Sequence, residues 1–239
     1  MIILSHTNLS GINLGGINLS EIKLGMPSGK GSGGEETFDP ASFNEAWTVT
    51  GKTNNDEDRA AIKNITGNGN DLVLSNFTFD EDSGYNSGGY LVTDGVDDKI
   101  QSNSFELGKD WTMVGDWVLL QDSYKSAGVI KSPAFYAYNN VNGMVVYLKS
   151  GNIQNGLSEI KSLYAVCSDG RVYDSNWNEH QLVIGEESKS VSSLKVGVSS
   201  NEASFTKIAF KNLAIYNDKV LTKDQCIKAY DYLQTLKEK

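Results

Sequence analysis

The chain has little of what most catalytic, metal-binding or membrane-spanning proteins display. Its 239 residues include two cysteines, two histidines and three prolines. Cys167 and Cys226 lie far apart and fit no metal or redox spacing, so they read as half-buried thiols, with a single disulfide as the alternative. With His6 and His180 as the only imidazoles, a Ser-His-Asp arrangement is poorly supplied. No run approaches the roughly 18 apolar residues of a membrane-spanning helix. Lys and Arg number 21 against 30 Asp and Glu, and the resulting net charge of −9 argues against nucleic acid and anionic membranes as partners. The first residues lack a basic n-region and a long apolar h-region, so no secretion signal is expected.

What is present suits one globular all-β domain. Hydrophobic residues make up 39% of the chain, with 24 glycines, 11 tyrosines and 4 tryptophans, and a β domain of about 200 residues is of ordinary size. Residues 7–26 stand apart. Written in fives, they place Leu9, Leu14, Leu19 and Leu24 at every fifth position. Thr7, Ile12, Ile17 and Ile22 stand two places before them, so each pair points to one side of an extended strand. The pattern resembles the pentapeptide repeat, whose units form the sides of a square β-helix. Four units make about one coil, too little to bury its own face, so residues 1–25 are expected to dock on something else. An ordinary pair of short strands is the competing explanation. Residues 26–37 are rich in Gly and Ser, as a flexible linker is, and residues 38–239 form the main domain.

Within that domain a short helix is expected over residues 56–65, with Ala60, Ala61, Ile62 and Ile65 as its apolar side. Residues 89–101 are expected to form a β-hairpin about the turn Asp94-Gly95, a dipeptide suited to type I′ geometry. Further strands are expected at residues 72–79, 111–120, 127–131, 135–138, 144–149, 160–167, 181–184, 191–198 and 205–216. Turns are expected at Asn142-Gly143, Asn155-Gly156 and Asp169-Gly170. About ten short strands with frequent turns indicate a sandwich or jelly roll. Thr222 and Gln225 form a capping box for a C-terminal helix with Cys226, Tyr230 and Leu233 on one face.

Four stretches in register resemble the laminin-G-like/concanavalin-A-like lectin domains. They are Thr66-Gly67-Asn68-Gly69-Asn70-Asp71, residues 94–100 (Asp94-Gly95-Val96-Asp97-Asp98-Lys99-Ile100), residues 111–118 from Trp111 through Trp117, and residues 212–222 ahead of the helix. The resemblance covers roughly residues 40–235. It implies an all-β, concanavalin-A-like jelly-roll sandwich with a C-terminal helix, here preceded by the short N-terminal β-repeat arm. The low-charge, Asn/Ser/Gly-rich style also resembles surface proteins of tailed bacteriophages of gut bacteria.

Candidate chemistry follows from that frame. Glycosidases on this fold use closely spaced carboxylates on one strand, and no such spacing occurs, so no catalytic residue is expected and the protein is read as non-enzymatic. Asp94, Asp97 and Asp98 offer hard oxygen ligands for calcium, the one ion in question; turn chemistry and solvated charge are the competing explanation. For sugar binding, Tyr136, Tyr138 and Asn140 share one face of a strand by alternation, and Trp177 is a further candidate. Such aromatics also serve as core or cross-strand pairs, and Trp111 and Trp117 read as core. The expected function is a non-enzymatic virion surface protein, a head-fibre or capsid decoration with a lectin-like domain facing bacterial or mucosal glycans. Its arm would dock on a capsid or fibre base, as a homo-oligomer such as a dimer or trimer. A bacterial carbohydrate-binding module not attached to a virion is the alternative.

Overall fold

The computed structural model describes residues 37–120, 128–132, 135–140, 143–148, 155–158, 160–184, 190–198 and 205–238. The chain divides into two units, residues 1–38 and 39–239. The expected docking arm, with Leu9, Ile12, Leu14, Ile17, Leu19, Ile22 and Leu24, lies outside the described residues, as does most of the linker.

Sixteen strands are described, in the order β1 (Glu45–Thr48), β2 (Ala61–Ile62), β3 (Leu72–Ser75), β4 (Gly84–Tyr85), β5 (Leu91–Val92), β6 (Lys99–Leu107), β7 (Trp111–Leu119) and β8 (Gly128–Ser132). After them come β9 (Phe135–Asn140), β10 (Gly143–Leu148), β11 (Asn155–Ser158), β12 (Leu163–Cys167), β13 (Arg171–Asp174), β14 (Glu179–Gln181), β15 (Ser190–Val196) and β16 (Ile208–Asn217). Among the described residues a single helix, α1 (Lys223–Thr235), follows the last strand. The first sheet runs β14-β13-β12-β7-β16-β5-β4, with β1 also paired to β16; the second runs β11-β10-β9-β8-β15-β6-β3-β2. Every pairing among these strands is antiparallel. The fold is the all-β sandwich with a C-terminal helix that the sequence pattern indicates.

Alternation along β7 explains how the sheets adhere. Trp111, Met113 and Trp117 point inward and are almost wholly buried in one core, with Leu213 and Ile215 of β16. From the second sheet Ile100, Phe105, Leu194 and Val196 meet them, and the rings of Trp47 and Phe105 lie 6.4 Å apart across the interface. Each such side chain contributes about 1.5–3 kcal/mol by leaving water. The other face of β7, carrying Thr112, Val114 and Asp116, is buried too, because α1 packs against β7 and β16. The capping box at Thr222 and Gln225 is formed, and Cys226, Ala229 and Leu233 are the helix residues it buries. No helix among the described residues is long and apolar enough to cross a membrane.

Two local expectations are corrected. Residues 56–65 are not helical; they form turns leading into β2, which pairs with β3. Asp56 accepts hydrogen bonds from the backbone and hydroxyl of Thr53, a local carboxylate turn that competes with helix formation. Residues 89–101 are not a hairpin either. β5 belongs to the first sheet and β6 to the second, so the Asp94-Gly95 turn is a crossover between layers. Gly95 has a positive φ of 76° but Asp94 does not, which rules out type I′ geometry. The deciding contacts are remote: Thr93 donates its hydroxyl to the Thr206 carbonyl and accepts from Ile208 N–H.

The turn expected at Asp169-Gly170 joins β12 to β13 in a hairpin. Gly170 has φ +96°, and a Cβ there would meet the Leu182 carbonyl at 2.6 Å, so only glycine fits. Asn155-Gly156, by contrast, lies inside β11 rather than at a turn.

Candidate functional site

The side chains around the β12–β13 hairpin build a cleft at the first sheet. Its volume is 330 Å³, and its lining includes Val118, Ile160, Lys161, Ser162, Tyr164 and Asp174, with Ser175 and Asn176 at the rim. Tyr164 is the extra residue of a β-bulge, since Leu163 pairs with Asp174 and Ala165 with Tyr173. A bulge re-aims a side chain, and here the ring of Tyr164 stacks on Tyr230 of α1 with centroids 4.3 Å apart. Ser162 donates its hydroxyl to the Trp117 carbonyl at 2.6 Å, which leaves its oxygen lone pairs available.

Asp174 organises the turn that forms the far wall. One carboxylate oxygen accepts from Asn176 N–H at 2.8 Å and Asn178 N–H at 2.9 Å. The other accepts from the Asn178 side-chain amide at 3.0 Å and lies 3.2 Å from His180 Nε2. Burial alone would raise the carboxyl pKa, but the Asn178, His180 and Asn176 donors outweigh it and hold the group below the usual carboxylate range. Asp174 is therefore an anion whose acceptor positions are all taken.

Trp177, the sequence candidate in this region, sits at φ +60°, a left-handed conformation unusual for a bulky side chain. Its ring compensates by edge contacts with Tyr164 and Tyr230, each at 5.6 Å, and a tilted contact with Tyr173 at 6.2 Å. Trp177 thus braces Tyr164, and Tyr164 is the aromatic that the cleft uses. Beneath α1 the same cluster reaches Asp116, 4% exposed, whose carboxylate accepts from the hydroxyls of Tyr90 and Tyr230. Burial raises the Asp116 pKa, with the Lys211 charge and the tyrosine hydroxyls acting against it.

The other glycan candidates lie elsewhere. Tyr136, Tyr138 and Asn140 are on β9 of the second sheet, so Trp177 does not join them. Their backbone register is clear: Tyr136 is opposite Lys131 and Tyr147, Tyr138 opposite Val145, and Asn140 opposite Gly143. The Lys131 row continues through Lys195 to Gln101 and the exposed Val73. The side chains on β9 fall outside the described set.

Asp94, Asp97 and Asp98 do come together, with ligand atoms within 4.8 Å of one another, and they are the residues that could hold a hard cation. Much of their capacity is already used. Asp94 Oδ1 accepts from Val96 N–H at 2.7 Å and Asp97 N–H at 3.2 Å. Asp98 accepts from Asp94 N–H and from the Ser83 hydroxyl. Burial, with the Asp94 and Asp97 charges added, pushes Asp98 up to about 6. The cluster acts first as a cap on the crossover, short of the six to eight oxygens that calcium prefers.

The sequence pattern alone leaves Tyr164 and Asp174 unmarked. The available signal was the run Asp174-Ser175-Asn176-Trp177-Asn178, an Asp followed by amides two and four places on, which is turn-forming chemistry.

No protein-family model matches the chain, and no curated protein matches it. Solved structures do match in fold. The ligand-binding domain of botulinum neurotoxin serotype D, in complex with N-acetylneuraminic acid, aligns with TM-score 0.57 at 12% identity, covering 81% of this chain and 51% of that one. A Trypanosoma rangeli sialidase aligns with TM-score 0.56 at 9% identity, covering 82% of this chain and 34% of that one. The chain thus spans about a third to a half of the length of these proteins. The likeness establishes a β-sandwich fold shared with these proteins.

Proposed function

We propose that the protein is a non-enzymatic, lectin-like virion surface component, whose sandwich binds glycans of a bacterial surface or of mucus while its N-terminal arm docks on a capsid or fibre base. The observation that carries the glycan reading is the cleft at Tyr164. It pairs an aromatic ring and the apolar side chains of Val118 and Ile160 with rim hydroxyl and amide groups, the combination that a pyranose presents in reverse. Its size suits a small ligand pocket. A solved neighbour of the same fold holds N-acetylneuraminic acid, which supports a sugar as the ligand class.

The non-enzymatic reading is supported by the carboxylate supply of the cleft. Among the described lining residues only Asp174 carries one, and glycoside hydrolysis by the usual route needs two, one of them protonated. Asp174 is kept ionised and fully engaged. The virion reading is supported by the four Leu-centred repeats and the Gly/Ser-rich linker, a sticky arm and a tether. Many copies on one particle would make weak single-site contacts effective.

A glycan array of the full chain tests both parts, with Tyr164→Ala and a deletion of residues 1–25 as controls. Array signals that vanish with Tyr164→Ala and survive the deletion support the glycan reading; an unchanged Tyr164→Ala signal removes the cleft from it. The deletion should abolish oligomerisation or particle attachment with the sandwich still folded. A deleted form that still oligomerises or attaches like the full chain favours a free carbohydrate-binding module.

A further inference from the structure

Two polar side chains lining the cleft are buried, Ser162 at 5% exposure and Asp174 at 6%, and they differ in what they can still bind. Asp174 spends both oxygens on its own turn, on Asn176 N–H, Asn178 N–H, the Asn178 amide and His180. Ser162 gives its hydroxyl hydrogen to the Trp117 carbonyl, so its oxygen can accept from a ligand and cannot donate to one. The surface beside that oxygen is apolar. Val118 directly follows Trp117, whose carbonyl holds Ser162. It stands between the core residues Trp117 and Leu119, and strand alternation turns it the other way, where it lines the cleft with Ile160 and Tyr164. Across the hairpin Leu163 is opposite Asp174, which brings the exposed Ser175 and Asn176 to the rim beside Ser162. A buried acceptor, branched aliphatic carbons next to it and an amide at the edge match a group that carries an N–H, a methyl and a carbonyl together. A bare sugar hydroxyl would satisfy the oxygen and leave the aliphatic surface uncovered.

We infer that the cleft selects N-acetylated hexosamine residues, with the acetamido N–H donating to Ser162 Oγ, the acetyl methyl resting on Val118 and Ile160, and the Tyr164 ring covering one face of the pyranose. In a trans amide the N–H and C=O point in opposite directions, so an inward N–H sends the carbonyl toward the rim, where the Asn176 amide can donate to it. This rests on the glycan reading above and narrows it to one sugar class. Most of the selectivity lies in the methyl group: a methylene-sized difference in an apolar pocket discriminates by about 10- to 200-fold, whereas one neutral hydrogen bond contributes about tenfold at most.

The test is calorimetric titration of the full chain with sets of methyl glycosides in the gluco, galacto and manno series. Each N-acetylhexosamine is compared with its parent hexose and with its N-formyl analogue, which keeps the amide and lacks the methyl. The expected result is a preference of about tenfold or more for the N-acetyl form over both in at least one series. Val118→Thr, which exchanges a methyl for a hydroxyl at nearly constant volume, should shrink the acetyl-over-formyl preference, and Ser162→Ala should shrink the acetamido-over-hexose preference. Equal binding of the three forms, or a preference that neither variant changes, overturns the inference. If hexoses bind as well as N-acetylhexosamines and lose binding with Tyr164→Ala, the glycan reading stands alone. If no sugar of any kind binds, both fall. Circular dichroism of each variant separates a lost site from a lost fold, and should Ser162→Ala fail to fold, the ligand sets and Val118→Thr still decide.

Discussion

The ring of Tyr164 stacks on the ring of Tyr230 at 4.3 Å, so the cleft and the helix that closes the sandwich share one aromatic contact. Tyr230 also donates to Asp116, a carboxylate with a second donor in Tyr90. Tyr230→Ala should cost about 2 kcal/mol of stability by removing a large half-buried side chain, and it should weaken binding at the cleft by freeing Tyr164. Tyr230→Phe keeps the stack and should cost about 1 kcal/mol for the lost hydrogen bond. Urea unfolding of both variants checks this; equal losses would show that the ring contributes nothing.

Glu238 should matter more than its place near the end of the described chain suggests. Its carboxylate lies 2.8 Å from Lys52 Nζ, with only 5% and 4% of the two side chains exposed. It also accepts from Lys63 N–H at 2.9 Å. Removing one partner of a buried pair leaves the other charge without its counterion. Asp58, 2.7 Å from Lys52 but well exposed, would compensate in part. Glu238→Gln is expected to cost about 3 kcal/mol, read as a lower denaturation midpoint with unchanged slope. A loss below about 0.5 kcal/mol, the range of surface substitutions, would refute the buried pair.

Asp98 gives a pH signature. Its folded pKa is pushed up to about 6 against an ordinary value of about 4. The folded state therefore binds the proton more tightly than the unfolded state. The contribution of this group to stability is fully present below pH 4 or so and is lost as pH rises through about 6. Asp98→Asn should flatten the stability profile between those values and be neutral or stabilising at pH 7, since its carbonyl can still accept from Asp94 N–H. A profile with the same slope in the variant would assign the dependence to other groups.

Cys167 and Cys226 are both free and fully buried. Cys226 donates to Cys167, which lowers the Cys167 pKa, while that bond and burial raise Cys226. Cys167 also contacts the Thr112 hydroxyl and the Leu221 carbonyl. Native protein should resist thiol alkylation, with labelling rates that follow global unfolding as denaturant is added. Rapid labelling in buffer would show that α1 opens on its own.

The parts of this architecture governed by near neighbours are legible in the sequence. Trp111 and Trp117, six residues apart on one strand, announce their common face, and the Thr222–Gln225 capping box announces the helix start. The Asp94-Gly95 turn is misleading because a tight turn does not specify what its flanking strands pair with. That is decided by Thr93 meeting Thr206 and Ile208, more than 110 residues away. The helix expected at residues 56–65 fails for a similar reason: Ala61 and Ile62 find strand partners in Val73 and Leu72, and tertiary pairing overrides local propensity. The cleft is hidden because Tyr164 and Asp174 become neighbours only when a hairpin folds and a bulge turns the tyrosine outward. Trp177 marks the right region, though as a brace.

The position of β16 sets an order of events during synthesis. It is the last of the described strands to be made, yet β7, β5 and β1 all pair with it. Until residues 208–217 leave the ribosome, β7 lacks a neighbour along one whole edge, and Trp111, Met113 and Trp117 wait without their final packing. A nascent chain in that state exposes both an unpaired edge and a row of large apolar rings, the features that chaperones shield and aggregates recruit. Yield in the cell should thus depend on how the stretch between β7 and β16 is protected, more than on the stability of the finished sandwich.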